Sequence, residues 1–256
     1  MKYTLSLLFS ALCLFASDAY ISAEALAEKI NEKNILLLDV TDKENYENGH
    51  IPNAVRVEVE DFRKPVIMHK RMKSPQQVQE VIRSLGINND TDIVIYEHGK
   101  EKELLKSTYV ALALITNGAK SVTILDGGYD AWLSENPTLI STETPVVKKG
   151  NFDTKFNSGI IVDLDYVKSQ IGKVHMLDAR PPRYYYGSLL SGGVERYGHI
   201  PHSRSSFWGD KFNTDNTIRD NEELNEIVIQ SNKLNSEDEV ILYCTGGLET
   251  SANWYI

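Results

Sequence analysis

The sequence predicts an α/β fold built twice, each copy a mainly parallel sheet flanked by helices. Three observations carry that prediction. Short apolar runs of strand length alternate with segments of helical spacing, the order that gives a parallel sheet with crossover helices. The tetrapeptide Gly-His-Ile-Pro occurs at 49–52 and again at 198–201. Each is followed at almost the same interval by an apolar run, Ile93-Val94-Ile95-Tyr96 and Val240-Ile241-Leu242-Tyr243. Position 97 lies 47 residues after His50 and position 244 lies 45 after His199. Two such tetrapeptides, in register with two strand–loop–helix units, mark an internal repeat.

Taken in order, residues 22–31 have helical spacing with Ser22 as N-cap. Residues 35–40 (ILLLDV) read as a buried strand ending at Asp39, and 44–48 as a short helix or turn before the first Gly-His-Ile-Pro. Ser74-Pro75-Gln76-Gln77 opens a helix with a cap, a proline at its first position and a glutamine at its third. That helix stops at Gly86. Residues 92–96 form the next strand, 107–115 a helix ended by Asn117-Gly118, 121–125 a strand, and 129–134 a short helix after Asp126-Gly127-Gly128. Residues 138–158 are polar and aperiodic, a linker. The pattern then restarts with a helix over 162–171, a strand over 175–178 that ends in Asp178 as the earlier one ends in Asp39, and a helix opening at 220–223. The predicted domains are 20–137 and 159–256. Compared with the first copy, the second lacks a final strand and helix, so the C-terminal domain is expected to be truncated.

Composition narrows the function. The chain has 256 residues, 41% hydrophobic and 25% charged, with a formal net charge of −9, which argues against binding nucleic acid or an anionic membrane surface. Residues 1–19 read as a secretory signal peptide. Lys2 supplies a basic start, 5–15 (LSLLFSALCLF) an apolar stretch too short to span a membrane, and Ser17-Asp18-Ala19 a cleavage site. The expected location is therefore outside the cytoplasm, in the periplasm, with no membrane attachment after cleavage. Cleavage would remove Cys13, one of two cysteines, and leave Cys244 alone. A single thiol in an exported chain points to reactivity rather than to a disulfide framework.

Cys244 ends the second apolar run and is followed by Thr245-Gly246-Gly247-Leu248-Glu249-Thr250. The glycine pair reads as a tight loop, and 249–254 as a helix whose N-terminus lies against it. A thiol so placed sits among backbone N–H groups at the positive end of a helix, which is expected to depress its pKa and make it a nucleophile. Cysteine phosphatases share the strand–loop–helix arrangement but need an arginine six positions after the cysteine; position 250 here is Thr.

With Asp178-Ala179-Arg180, Gly198-His199-Ile200-Pro201 and Tyr243-Cys244-Thr245-Gly246-Gly247 in view, the chain resembles the tandem-domain rhodaneses, the thiosulfate and 3-mercaptopyruvate sulfurtransferases. The run Val122-Thr123-Ile124-Leu125-Asp126-Gly127-Gly128-Tyr129-Asp130-Ala131-Trp132 strengthens the likeness. The resemblance implies two rhodanese-like domains, the first without its nucleophile and the second catalytic; Glu97 stands at the first copy's cysteine position.

The resemblance also implies a mechanism. The Cys244 thiolate takes the outer sulfur of thiosulfate or 3-mercaptopyruvate as a persulfide. A thiol or cyanide acceptor then removes it, with no metal and no organic cofactor. The loop from Thr245 through Gly246, Gly247, Leu248 and Glu249 to Thr250 would cradle the sulfur. Asp178 would orient its loop, and Arg180 and Arg183 would bind the donor's anionic end. The family's substrate arginine falls six positions after the aspartate; without a gap that is Tyr184, with Arg183 one short. Thr245 and Gly246 are neutral and Glu249 is acidic, which weakens the case for thiosulfate and leans toward a mono-anionic donor such as 3-mercaptopyruvate; the loop does not match the mercaptopyruvate type either, so the donor stays open. A non-catalytic persulfide carrier or sulfur-sensing module is the alternative.

Overall fold

The computed structural model describes residues 19–66, 69–98 and 104–256. The signal sequence read at 1–19 lies, but for Ala19, outside the described residues.

The first copy opens with β1 (Tyr20–Ile21), α1 (Ala23–Lys29), β2 (Ile35–Asp39), α2 (Lys43–Asn48) and β3 (Val55–Arg56). Ser22 caps α1 by accepting from the Ala25 N–H at 3.2 Å. A 3-10 turn (Val59–Phe62) leads into an antiparallel hairpin, β4 (Arg63–Val66) and β5 (His69–Met72). Next come α3 (Pro75–Ser84), with the reciprocal Ser74–Gln77 capping box, then β6 (Asp92–Tyr96), α4 (Leu104–Thr116), β7 (Ser121–Leu125) and α5 (Gly128–Glu135). The sheet runs β1-β7-β6-β2-β3, all parallel. Leu37, Leu38 and residues 93–96 are buried on both faces, as a sheet covered on both sides by helices requires.

The second copy has α6 (Leu164–Gln170), β8 (His175–Asp178), α7 (Pro182–Tyr185), β9 (Arg204–Ser205), α8 (Asn221–Leu224) running into a π-helical turn (Asn225–Gln230), β10 (Val240–Tyr243) and α9 (Leu248–Tyr255). Its sheet is β10-β8-β9, again parallel. The register repeats. Asp39 faces Tyr96 in the first sheet and Asp178 faces Tyr243 in the second. Among the described residues β7 has no counterpart beyond β10, and that edge borders a cavity instead.

Residues 138–158 form no helix or strand apart from a bridge from Ser141 to His50, yet they are pinned to the first copy. Phe152 is fully buried, and its carbonyl accepts from Arg83 Nε at 2.8 Å. Gly150 lies so close to Ile87 that a Cβ would meet the Ile87 carbonyl at 2.1 Å. The copies share one core: Trp208, Phe212, Ala252 and Tyr255 pack with Tyr20, Tyr109 and Ile124. Polar contacts close the seam, Thr108 Oγ1 to Ser251 Oγ at 2.9 Å and Tyr255 hydroxyl to the Val122 carbonyl at 2.8 Å. Among the features that escaped the sequence reading are β1, the β4–β5 hairpin, the two-residue β3 and β9, and the single turn of α7. Each is too short or too polar to show a period.

Candidate active site

Cys244 leaves the end of β10, in the middle of the groove between the two copies. A loop of three residues connects it to α9, and Gly247 at the helix cap takes a left-handed φ of 89°. That conformation turns the Gly247 N–H back onto the sulfur, 3.0 Å from Cys244 Sγ. Glycine is required twice over, because a side chain at 247 would also meet the Tyr109 ring at 3.3 Å. Thr250, in the first turn of α9, adds to Gly247 in pulling the thiol's pKa down. The pull is not enough: burial and, next, the Glu249 carboxylate push the thiol above its ordinary range. The expected amides and helix start are present, but partial burial and a carboxylate in the first turn outweigh them.

Glu249 itself is pushed up by burial and by Asp178. The Cys244 thiol, the Thr245 N–H and Arg180 hold it down. Asp178 is fully buried and accepts from the Arg180 backbone N–H at 3.0 Å and from Arg180 Nε at 2.9 Å. Arg180 also donates to the Gly198 carbonyl at 2.9 Å, and its guanidinium lies 6.0 Å from the Tyr243 ring centre. Asp178 and Arg180 thus tie the end of β8 to the Gly-His-Ile-Pro turn behind Cys244. Tyr243 adds a second tie, its hydroxyl accepting from the Ile200 N–H at 3.1 Å.

Two openings reach Cys244. One, about 290 Å³, is walled by Arg180, Arg196, His199 and Thr245. The other, about 570 Å³, runs along the edge of β10 past Tyr109, Leu112, Trp254 and the β5 residues Lys70 and Arg71. Arg180 therefore stands at the site, and Thr245 is held from the side by Ser191 Oγ at 2.8 Å from its hydroxyl. Gly246 and Leu248 complete the loop, Leu248 packing on the shared core. Arg183 is placed elsewhere: it is exposed on α7, its guanidinium 5.2 Å from the centre of the Tyr184 ring.

Three groups at the site were not read from the sequence. Arg196 lies two residues before Gly198, where the first copy has Glu47 two before Gly49; the charge reversal between the copies was a legible signal. Arg63 and Tyr109 come from the other copy. Arg63 donates to the Gly246 carbonyl at 3.1 Å and lies 5.1 Å from the Tyr109 ring centre. Tyr109 is pushed up to about 12 by burial, against the lowering pull of Arg63. No sequence spacing connects positions 63 and 246.

The sequence pattern of the rhodanese-like domain matches residues 22–135 and again 163–256. Relatives of similar length include the sulfur carrier protein TtuD of Thermus thermophilus, 26% identical over 93% of this chain and 86% of that protein. A putative thiosulfate sulfurtransferase of Synechococcus elongatus is 26% identical over 94% of this chain and 77% of its own length. The 3-mercaptopyruvate sulfurtransferase of Escherichia coli is 27% identical over 74% of this chain and 71% of that protein. Among solved structures, SseA from Escherichia coli superposes with a TM-score of 0.81 at 23% identity, covering 93% of each chain. An anaerobic ergothioneine biosynthesis enzyme from Chlorobium limicola gives 0.79 at 19% identity, over 93% of this chain and 63% of that one. These structural likenesses concern the fold.

Proposed function

The chain belongs to the rhodanese-like family, and on that premise we propose that it is a sulfurtransferase of the thiosulfate or 3-mercaptopyruvate type, working through a persulfide on Cys244. The observation that carries the reading is the placement of one thiol. Cys244 Sγ lies 3.0 Å from the loop N–H of Gly247, at the meeting point of two openings, with Arg180 and Arg196 in the wall of the smaller one. The relatives named as sulfurtransferases support it.

The chemistry follows from that placement. The thiolate attacks the outer sulfur of the donor, and sulfite or pyruvate leaves. The N–H groups of Gly247 and Thr250 stabilise the charge on the resulting persulfide. An anionic donor entering the smaller opening meets Arg196 and Arg180. Arg180 is already paired with Asp178, so Arg196 is the less committed cation. A thiol or cyanide then takes the outer sulfur and restores Cys244.

The test is a mass measurement on the intact protein after incubation with each donor, followed by steady-state turnover with a thiol or cyanide acceptor. A gain of one sulfur on Cys244 and sulfite or pyruvate release that vanishes in Cys244→Ser support the enzyme; activity that survives the substitution overturns it. The relative named as a sulfur carrier favours one second reading, a carrier that loads Cys244 without releasing product catalytically. Loading without turnover decides for that reading. Export is proposed from residues 1–19 alone. A secreted product beginning at Tyr20 supports it, and a cellular product beginning at Met1 overturns it.

A further inference from the structure

The two copies also differ at the opposite end of the second sheet from Cys244. A cavity of about 410 Å³ opens there, where β8, β9 and β10 begin. Lys173, His175, His202 and Arg204 line it, with Asp238 and Glu239 in the wall. It shares Glu239 with the larger opening to Cys244 and no residue with the smaller one. Along β8, the rise from His175 to Asp178 sets it about 10 Å from the Asp178–Arg180 pair.

The registers of the two sheets align these positions with the first copy. His175 corresponds to Leu36, Arg204 to Val55 and Lys173 to Asn34; His202 and Asn53 each follow Gly-His-Ile-Pro. In the first copy Leu36 packs on the core, and Asn34 Nδ2 donates to Asp92 Oδ2 at 3.1 Å. Four neutral residues are thus replaced by four nitrogen bases that line one cavity. His202 is the most telling of them. The residue after the tetrapeptide takes a left-handed φ in both copies, 65° at Asn53 and 66° at His202. Asparagine already meets that demand, so the turn by itself gives no reason for an imidazole.

The fixed cations of the cavity are not neutralised inside it. Among the described residues neither Lys173 nor Arg204 forms an ion pair with a carboxylate. Arg204 donates to the Asn232 carbonyl and, at 3.4 Å, to His175 Nδ1. The acids in the wall are engaged by other groups. Asp238 accepts from the Asn235 N–H at 2.8 Å and meets His175 Nε2 at 3.3 Å, and Glu239 accepts from the Tyr166 hydroxyl. The His202 ring lies against Gly172, its Cδ2 3.5 Å from where a Cβ at 172 would stand, and among the described residues its nitrogens have no hydrogen-bond partner.

We propose that this cavity binds a doubly charged tetrahedral oxyanion, free or carried as the ester of a small molecule, through Arg204, Lys173 and His202. A guanidinium and an ammonium without carboxylates match two negative charges, and they approach from different elements, as the spread oxygens of a tetrahedral ion require. The imidazole of His202 adds an N–H donor. The site is separate from sulfur transfer, and the inference stands whether or not Cys244 carries sulfur.

The experiment follows the imidazole resonances of the intact chain by NMR while inorganic phosphate, sulfate, glycerol phosphate or acetate is added at fixed pH and ionic strength. His175 and His202 shift together on one saturation curve, with a phosphate Kd on the order of 1 mM or tighter. Acetate binds at least about tenfold more weakly, because it carries one charge. Tighter binding of glycerol phosphate than of inorganic phosphate assigns the ion to an organic ester; equal binding assigns it to the free ion. Arg204→Val installs the first copy's residue and weakens phosphate binding on the order of tenfold or more. Should that variant fail to fold, Arg204→Gln keeps a donor for the Asn232 carbonyl and carries the same expectation. His202→Asn keeps the turn and weakens binding severalfold, and it leaves turnover at Cys244 unchanged. A shift confined to His199, which walls the smaller opening, would mean that the anion enters the sulfur-transfer site and overturns the proposal. So would an equal response to acetate, or full phosphate affinity in a folded Arg204 variant.

Discussion

At the end of β6 the chain places Glu97, and at the end of β10 it places Cys244. Around these two positions the scaffolds match in side-chain detail. Tyr96 hydroxyl accepts from the Ile51 N–H at 3.1 Å, as Tyr243 does from Ile200. His50 stacks on Tyr46 at 3.8 Å between ring centres, and His199 on Tyr185 at 3.9 Å. The Val40 N–H reaches the Tyr96 carbonyl at 3.0 Å, and the Ala179 N–H reaches the Tyr243 carbonyl at 2.9 Å. What differs is the space in front of the strand end. In the first copy Glu97 is fully buried, its side chain accepts from Ser107 Oγ at 2.8 Å, and its carbonyl accepts from the Tyr129 N–H at 2.7 Å. Gly128 presses on it so closely that a Cβ would meet the Glu97 carbonyl at 2.6 Å. In the second copy the corresponding side of Cys244 opens onto solvent-accessible space. The aspartates diverge as well: Asp178 holds Arg180, whereas Asp39 meets His98 at 3.2 Å and has Thr41 at the arginine's place. A site is thus made less by the strand–loop–helix geometry, which both copies have, than by the groups that fill or leave the space before it.

The strongest way to break this comparison is to exchange the residues. Glu97→Cys combined with Cys244→Ser puts a thiol at the equivalent position of the first copy. The expected outcome is complete loss of sulfur uptake, because that position is enclosed by Ser107, Tyr129 and Gly128. Intact mass after donor treatment checks it. A sulfur gained at position 97 would mean that the cysteine, and not its surroundings, defines the site.

The next effect sharpens what the first copy gives to the second. Arg63 is nearly buried and reaches across the seam to the Gly246 carbonyl. A hydrogen bond from a charged group is worth about 1.5–3 kcal/mol. Arg63→Met therefore loosens the loop and lowers kcat/KM about tenfold to hundredfold. Thermal unfolding measured alongside separates loop misplacement from global loss. Unchanged kinetics in a folded variant would show that the second copy positions its loop unaided.

Much of the fold was readable because repetition made it so. The paired Gly-His-Ile-Pro turns, the two apolar strands ending in Tyr96 and Tyr243, and the Ser74 cap are local signals, and local hydrogen bonds execute them. Cys244 was legible for the same reason, as the place where one copy departs from the other. Its environment was not. The thiol's upward shift depends on burial, and burial arises where the copies meet. Arg63 and Tyr109 act across the seam, and short polar hairpins such as β4–β5 carry no periodic signature. Arg183 shows the converse limit: counting positions from a motif says nothing about where a short loop turns a side chain.

The smallest effect concerns the two histidines of the repeated turn, which sequence alone would treat as equivalent. His50 is fully buried, with Nδ1 2.8 Å from the Tyr46 carbonyl and Nε2 3.1 Å from the Glu143 carbonyl. His199 is exposed and has Nδ1 2.9 Å from the Tyr185 carbonyl. Removing the first leaves a cavity and the buried Tyr46 carbonyl without its partner, at a cost of about 2–4 kcal/mol. Removing the second leaves groups that water can serve, at about 1 kcal/mol or less. Denaturant unfolding of His50→Ala and His199→Ala should separate by that difference. Because His199 walls the smaller opening to Cys244, its variant should also change KM for the donor, while His50→Ala should change stability alone. Equal destabilisation by the two would mean that the turn's stability comes from its backbone and not from the stacked ring, and the copies would then be closer in energetics than their burial implies.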